Sequence, residues 1–143
     1  MKGTTQIPEV SVIIRKGSKI LFLLRQNTGW SDGMYCLPSG HVEDHERFSE
    51  AAIREAKEEV GIVIEEMSPV HVTQRISTSE DVRVGLFFEA TKWTGTPKNM
   101  EPKIHGEMKW FDADDLPLKD IVQFQSDGLA AIKRGEIYAE SGW

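Results

Sequence analysis

The sequence is poor in cysteine and in positive charge. Cys36 is the only cysteine among 143 residues, so neither an intrachain disulfide nor a cysteine-based zinc cluster can form. There are 17 lysine and arginine residues against 23 aspartate and glutamate residues, a formal net charge of −6. This balance excludes the basic field that holds a nucleic-acid backbone. We therefore predict no nucleic-acid partner, and an anionic small molecule would need metal ions or a few local cations to bind.

Long apolar runs are also missing. The longest one, residues 20–24, is far too short to span a bilayer. Residues 1–7 contain one lysine and no apolar stretch, which does not resemble a secretory signal. We predict no membrane partner, a cytoplasmic location and, because no repeat or linker divides the chain, a single domain over residues 1–143. Cys36 lies in an apolar segment and is predicted to be a buried, inert thiol.

Apolar periodicity predicts strands on both sides of one central helix. Gly61 follows this helix at the position where a helix C-terminus favours glycine. Strands before and after the central helix, together with a second helix near the end of the sequence, predict an α/β layered fold. The predicted strands are residues 9–14, 18–25, 35–37, 70–76, 82–91 and 107–111, and the predicted helices are residues 47–60 and 121–134.

Three glutamates share one face of the predicted central helix. Glu55, Glu58 and Glu59 have the offsets i, i+3 and i+4. Oxygen-rich carboxylate clusters are the ligands that hard divalent cations such as Mg²⁺ prefer. Taken alone, three glutamates on one face are more often a solvated helix surface, and a metal site is the second interpretation. A second, largely apolar face is predicted to pack on the core and consists of Ser49, Ile53, Ala56 and Val60.

A wider pattern of fixed spacings surrounds these glutamates. It resembles the Nudix box, G-x5-E-x7-R-E-U-x-E-E-x-G-U, where U is an aliphatic residue. Ala56 is small for the first aliphatic position, whereas Ile62 suits the second. The box covers residues 40–62, and its fixed positions are met by Gly40, Glu46, Arg54, Glu55, Glu58, Glu59 and Gly61.

The resemblance implies a fold and an enzyme class. The fold is an α/β/α sandwich with a mixed sheet, in which the box forms a loop, a helix and a second loop. The enzyme is a pyrophosphohydrolase that cleaves the pyrophosphate linkage of a nucleoside diphosphate joined to a group X. The implied cofactor is Mg²⁺ or Mn²⁺. A monomer or a homodimer is expected.

The resemblance also implies a role for each matched residue. Glu58 and Glu59 are the main metal ligands, and Glu55 is a metal ligand or the base that activates water. Arg54 and Glu46 form the pair that orients the catalytic glutamates. The backbone carbonyl of Ser39 is a further expected ligand, although this serine replaces the glycine often found there.

Several residues outside the box have two interpretations each. Arg25 either binds a substrate phosphate or is an exposed strand end. Glu107 either adds a carboxylate to the metal site or is solvated, and Trp30 and Tyr35 either stack on a base or pack on the sheet. The four histidines lack a metal-ligand spacing and are predicted to be surface residues: His41, His45, His71 and His105.

The substrate is predicted by elimination among Nudix subgroups. Residues 76–79 lack the proline typical of ADP-ribose pyrophosphatases and the tyrosine typical of dinucleoside polyphosphate hydrolases, and residues 22–38 lack the coenzyme A signature. This favours a MutT-type enzyme that converts a nucleoside triphosphate or modified nucleotide to the monophosphate and pyrophosphate. The alternatives are hydrolysis of a nucleotide sugar and a non-catalytic domain that binds a nucleotide or metabolite. A calcium-binding module is disfavoured, because the carboxylates lie on a helix rather than in a loop.

Overall fold

Strands and helices follow one another much as the apolar pattern predicts. The structure is a computed structural model that describes residues 3–143. Met1 and Lys2, part of the predicted domain and of the segment compared with a secretory signal, lie outside the described residues. The helices are α1 (Phe48–Val60) and α2 (Gln123–Lys133), with a short 3-10 helix at Leu118–Asp120. The strands are β1 (Ile7–Lys16), β2 (Lys19–Arg25), β3 (Tyr35–Cys36), β4 (Ser39–His41), β5 (Val63–Ile76), β6 (Val82–Thr94), β7 (His105–Asp112) and β8 (Tyr138–Ser141).

The strands form a mixed sheet in the order β3-β2-β1-β6-β5-β8, with β4 paired to β1 and β7 paired to β2. β1 runs parallel to β6 and antiparallel to β4, where Val10 is opposite Gly40. This register places the first residues of the Nudix-like box directly beside a central strand. Among residues 3–143, no helix has the length and apolar character needed to cross a bilayer.

The two helices cover opposite faces of the sheet. Successive side chains of a strand point to opposite faces, and β1 is buried on both. Val10 and Val12 pack in one core with Ala56 of α1, whereas Ile13 packs in a second core with Leu129 of α2. This three-layer arrangement confirms the predicted α/β/α sandwich.

Local hydrogen bonds set the ends of α1. The Glu50 carboxylate accepts the Arg47 backbone N–H at 3.3 Å before the first turn. At the other end, Gly61 adopts a left-handed conformation with φ 70° and donates its N–H to the Lys57 carbonyl at 3.1 Å. Ile53, which is predicted to face the core, is exposed, because it lies about 100° around the helix from Ala52, which is on the buried face. The buried apolar residues of α1 are Ala51, Ala52, Ala56 and Val60.

Several segments differ from the predicted elements. β4, β8 and the first half of β5 were not predicted, and α2 starts two residues later than expected. Residues 63–69 are the first half of β5, which forms a long antiparallel hairpin with β6. The register of this pairing shifts near Glu66 and again at Pro69. Such irregularities place charged residues and a proline in a strand, so the apolar alternation is lost there.

Candidate active site

Arg54 links the loop before α1 to the acidic face of the helix. Its Nε and Nη2 donate to the two Glu46 carboxylate oxygens at 2.8 and 3.0 Å. Its Nη1 donates to Glu55 at 2.7 Å and to Glu58 at 3.3 Å, and Nη2 also reaches the His41 carbonyl at 3.0 Å. The pair of Arg54 with Glu46 matches the sequence-based interpretation. The contacts with Glu55 and Glu58 agree with the orienting role that the resemblance implies, and they form because the long side chain reaches around the helix.

These contacts perturb the pKa values of both partners. The hydrogen bonds from Arg54, helped by the Glu43 backbone N–H, lower the pKa of Glu46 to about 2. The same hydrogen bond with Glu46 raises the pKa of the Arg54 guanidinium. Both groups therefore stay charged throughout the neutral range and form a fixed support for the neighbouring glutamates.

Glu55 lies against the first glycine of the box. A Cβ atom added to Gly40 would overlap the Glu55 carboxyl group, so only glycine allows this approach without displacing the side chain. The Glu55 side chain is 13% exposed, and burial raises its pKa even though Arg54 acts in the opposite direction. A carboxylate with a raised pKa is a better proton acceptor.

Glu59 is the most buried carboxylate of the group. Its Oε2 accepts the backbone N–H of Ser39 at 2.7 Å. Burial, and then repulsion from Glu55, raise the pKa of Glu59 well above its ordinary value. The predicted acidic face is therefore not uniformly exposed: the Glu58 side chain is 54% exposed and that of Glu59 is 9% exposed.

Two further residues of the site were missed by sequence reasoning. A strap, residues 98–104, crosses the end of α1 and donates backbone N–H groups to the carbonyls of Val60 and Glu59. It brings Glu101 and the first residue of β7, His105, to Glu59, with His105 Nε2 3.7 Å from Glu59 Oε1. One ligand atom each from Glu59, Glu101 and His105 lie within 4.8 Å of one another. No sequence spacing signals this, because the residues meet only through the strap.

The donor set fits a hard divalent cation. Burial is the main cause that raises the pKa values of Glu55, Glu59 and Glu101, and repulsion from neighbouring glutamates adds to each. A bound cation would favour the ionised forms of these three groups. Carboxylate oxygens are the ligands that Mg²⁺ and Mn²⁺ prefer.

A cavity of about 450 Å³ adjoins this carboxylate group. β4 forms the boundary between them. Its three residues line the cavity, and the same three residues contact Glu59, Glu55 and Arg54 on their other side. The cavity is also lined by three guanidinium groups, those of Arg25, Arg75 and Arg83.

Comparison with known proteins identifies the family. The family model of the NUDIX domain matches residues 5–132 of this chain. The chain belongs to the NUDIX domain family. The family predicted from the box is therefore confirmed, and the predicted enzyme class, a Nudix pyrophosphohydrolase, agrees with it. Divalent metal ions are generally used by Nudix hydrolases, in line with the donor set described above.

Individual Nudix relatives share the fold with this chain. A MutT NUDIX hydrolase from Burkholderia pseudomallei superposes with a TM-score of 0.80 at 26% identity, covering 89% of this chain and 98% of that one. The NUDIX domain of Shewanella oneidensis NrtR, solved with ADP ribose, superposes at 0.70 with 18% identity over 92% and 87% of the two chains. An ADP-ribose pyrophosphatase from Methanocaldococcus jannaschii is 45% identical over 58 residues, 39% of this chain. This match spans only 34% of that relative's length.

Arg25 lies at the cavity of this Nudix chain rather than at a free strand end. Its Nε donates to the Trp30 carbonyl at 2.9 Å, and its Nη2 donates to the Thr28 hydroxyl at 3.0 Å. The guanidinium also lies over the Trp30 indole, 4.7 Å from the ring centroid. Arg25 thus holds the loop that carries Trp30, and both side chains line the cavity.

Tyr35 and Glu107 lie apart from the carboxylate group of the Nudix box. The Tyr35 ring packs edge-on against Phe111 at 4.9 Å, which favours its packing interpretation. Its hydroxyl donates to Glu107 at 3.4 Å. Glu107 is exposed and does not join Glu59 and His105, and the additional carboxylate there comes from Glu101 instead.

Two histidine predictions are wrong, and the predicted burial of Cys36 is confirmed. His71 and His105 are each 2% exposed rather than on the surface. His71 is buried because its Nδ1 hydrogen-bonds the Glu136 carbonyl at 2.9 Å, which ties β5 to the segment before β8. Cys36 is buried, and burial raises the pKa of its thiol to about 12.

Proposed function

We propose that this Nudix protein hydrolyses the pyrophosphate linkage of a nucleoside triphosphate or a modified nucleotide. One observation carries the proposal: a carboxylate group suited to a divalent cation and a cavity lined by guanidiniums share β4 as their common wall. A substrate with an anionic phosphate chain and a larger organic part would occupy both. One water is consumed, and the products are a nucleoside monophosphate and pyrophosphate.

The metal-binding role is assigned to the carboxylates of α1 and the strap. Glu58 and Glu59 would hold Mg²⁺ or Mn²⁺, with Glu55, Glu101 and the Ser39 carbonyl as further candidates. When bound, such an ion neutralises phosphate charge and lowers the pKa of a coordinated water. The Ser39 N–H bond to Glu59 fixes the direction of this carboxylate before any ligand arrives.

Proton transfer and orientation are assigned to Glu55 and Arg54. Glu55 is the candidate base, since burial raises its pKa and a carboxylate with a raised pKa accepts a proton more readily. Arg54 cannot accept a proton, because a guanidinium stays protonated at any working pH. Its two hydrogen bonds to Glu46 hold the guanidinium in place, so that Nη1 fixes the Glu55 carboxylate.

A second candidate substrate is a nucleotide sugar such as ADP-ribose. The identity to an archaeal ADP-ribose pyrophosphatase favours it, because the matched segment is 45% identical over 58 residues. The missing proline in residues 76–79 favours the triphosphate instead. Both substrates contain the same linkage, and they differ in what leaves with the second phosphate.

A substrate panel tests the proposal. Nucleoside triphosphates and ADP-ribose are incubated with Mg²⁺, and phosphate, pyrophosphate and AMP are measured separately, with EDTA as the metal-free control. Pyrophosphate release that EDTA abolishes supports the first candidate, and AMP release from ADP-ribose alone supports the second. Release of single phosphate only, or undiminished turnover in EDTA, contradicts the proposed cleavage or the metal requirement. Binding of nucleotides with no turnover identifies a non-catalytic domain.

A further inference from the structure

A buried carboxylate holds two of the cavity arginines. Glu9, on β1, has a side chain that is only 8% exposed. Its Oε1 accepts Arg75 Nε at 3.2 Å and Nη2 at 3.0 Å, and its Oε2 accepts Arg83 Nη1 at 3.3 Å. Buried charge pairs need good geometry to offset their desolvation. The Arg75 guanidinium is therefore fixed in the cavity wall by one edge.

Arg75 is also fixed by its face, which leaves its outer edge for a ligand. Its guanidinium lies over the Phe124 ring at 4.0 Å from the centroid. Within residues 3–143, the hydrogen bonds of Arg75 use Nε and Nη2 only, and both go to Glu9. Arg75 lines the cavity, and the end of its guanidinium, Nη1 and the second N–H of Nη2, makes no hydrogen bond within the described residues.

Next to this edge lies an aromatic surface. The rings of Trp30 and Phe124 are 6.5 Å apart and tilted by 32°, and the Trp30 residue is 44% exposed. Arg25 holds the Trp30 loop in place through the hydrogen bonds described above. Exposed aromatic faces bind nucleobases by stacking without preference among them. Selectivity must then come from polar groups beside the rings, and among those that line the cavity the Arg75 guanidinium lies directly on the Phe124 ring.

We propose that Arg75 determines base specificity in this cavity, in favour of bases with a carbonyl oxygen beside an unprotonated ring nitrogen. Guanine presents O6 with N7 and cytosine presents O2 with N3, and both pairs accept the two parallel donors of a guanidinium. Adenine places an amino donor beside N7, and uracil places an N–H between its carbonyls, so each would oppose one donor of Arg75. The inference rests on the proposed function, which assigns a nucleotide to this cavity.

Binding of nucleoside monophosphates tests the inference without metal or turnover. Dissociation constants for GMP, CMP, AMP and UMP are measured by calorimetry in EDTA. We expect GMP or CMP to bind at least about tenfold more tightly than AMP and UMP, the discrimination typical of a bidentate arginine. Arg75→Lys keeps the charge but loses the planar fork, and we expect it to abolish this preference while AMP binding changes little.

Arg15→Lys is the matched control. Arg15 also pairs with a carboxylate on a neighbouring strand, Glu89 at 2.6 Å, but it does not line this cavity. We expect this variant to keep the base preference of the wild type. If Arg75→Lys does not fold, Phe124→Leu removes the aromatic face under Arg75 and is expected to reduce the preference in the same way.

The outcomes separate this inference from the proposed function. Equal binding of all four monophosphates, absence of binding, or a preference that survives both Arg75→Lys and Phe124→Leu overturns the inference. Triphosphate turnover is measured in parallel. Turnover without base preference leaves the proposed function standing and refutes the role of Arg75. Selective monophosphate binding without turnover of any triphosphate supports the role of Arg75 and refutes the proposed function.

Discussion

The substitution Arg54→Lys tests whether Arg54 acts by orienting the catalytic glutamates or only by its positive charge. The arginine donates to Glu46 twice, to Glu55, to Glu58 and to the His41 carbonyl. A lysine keeps the positive charge but has three donors on one atom, and it cannot span Glu46 and Glu55 together. The variant therefore tests whether the fork itself is needed.

The expected loss is about 100-fold in kcat. A hydrogen bond to a charged group contributes about 1.5–3 kcal/mol, and the bond from Nη1 to Glu55 is the one next to the reaction. Losing it raises the barrier by about 2.7 kcal/mol, which corresponds to about 100-fold in rate. We expect the metal site to change less, because Glu59 is held by Ser39 rather than by Arg54 and the contact of Arg54 with Glu58 is long, at 3.3 Å.

Two measurements on the same variant distinguish an orienting role of Arg54 from support of the metal ligands. Steady-state turnover gives kcat, and the relaxation rate of water protons gives the affinity for Mn²⁺. Arg47→Lys is the control, since this arginine is 83% exposed in its side chain and has a single carboxylate partner at 3.6 Å. Mn²⁺ affinity that falls in step with kcat refutes the orienting role, because Arg54 would then support the ligands themselves. Unchanged kcat refutes any role beyond a surface charge.

Three further predictions concern the same region. Glu59→Gln is expected to lower kcat by at least about 100-fold with an intact fold, since burial already favours the neutral form. Glu65→Gln, beyond the box, is the control, and equal turnover of the two variants would reject the assignment. Gly40→Ala is expected to lower kcat at least about tenfold by displacing the Glu55 carboxylate, and unchanged turnover would contradict this. Cys36 is expected to react slowly with a thiol reagent at pH 8, because a pKa of about 12 leaves little thiolate; denaturant should restore the reaction, and a fast native reaction would show that the thiol is accessible.

Local patterns in the sequence predict the layers of the fold and the centre of the site. The run of mostly apolar residues in β1 is typical of a strand with two buried faces. The spacing from Gly40 to Gly61 places Arg54 beside its glutamates. What spacing cannot predict is a contact between distant segments. Glu101 and His105 lie far beyond α1 in the chain and reach Glu59 only because the strap hydrogen-bonds the end of that helix.

Irregular strands account for the remaining differences. β4 has three residues and β8 has four, too few for an alternation to be recognised. β5 begins with a segment whose charged residues and Pro69 fall at register shifts. The burial of a single histidine also depends on a contact between distant segments, which spacing cannot predict. The burial of His71 depends on a carbonyl that the chain supplies 65 positions later.

The guanidiniums of the cavity have a consequence for how a ligand approaches. The chain carries a net charge of −6, so an anion far from the surface is repelled. Charges are screened beyond about 8 Å at physiological ionic strength, and among the residues that line the cavity three arginines outnumber the one carboxylate, Glu9. Attraction of an anion is thus a short-range property of a molecule that is repulsive at long range. Moderate salt weakens the distant repulsion first, and association with an anionic ligand should become faster before higher salt weakens the bound state.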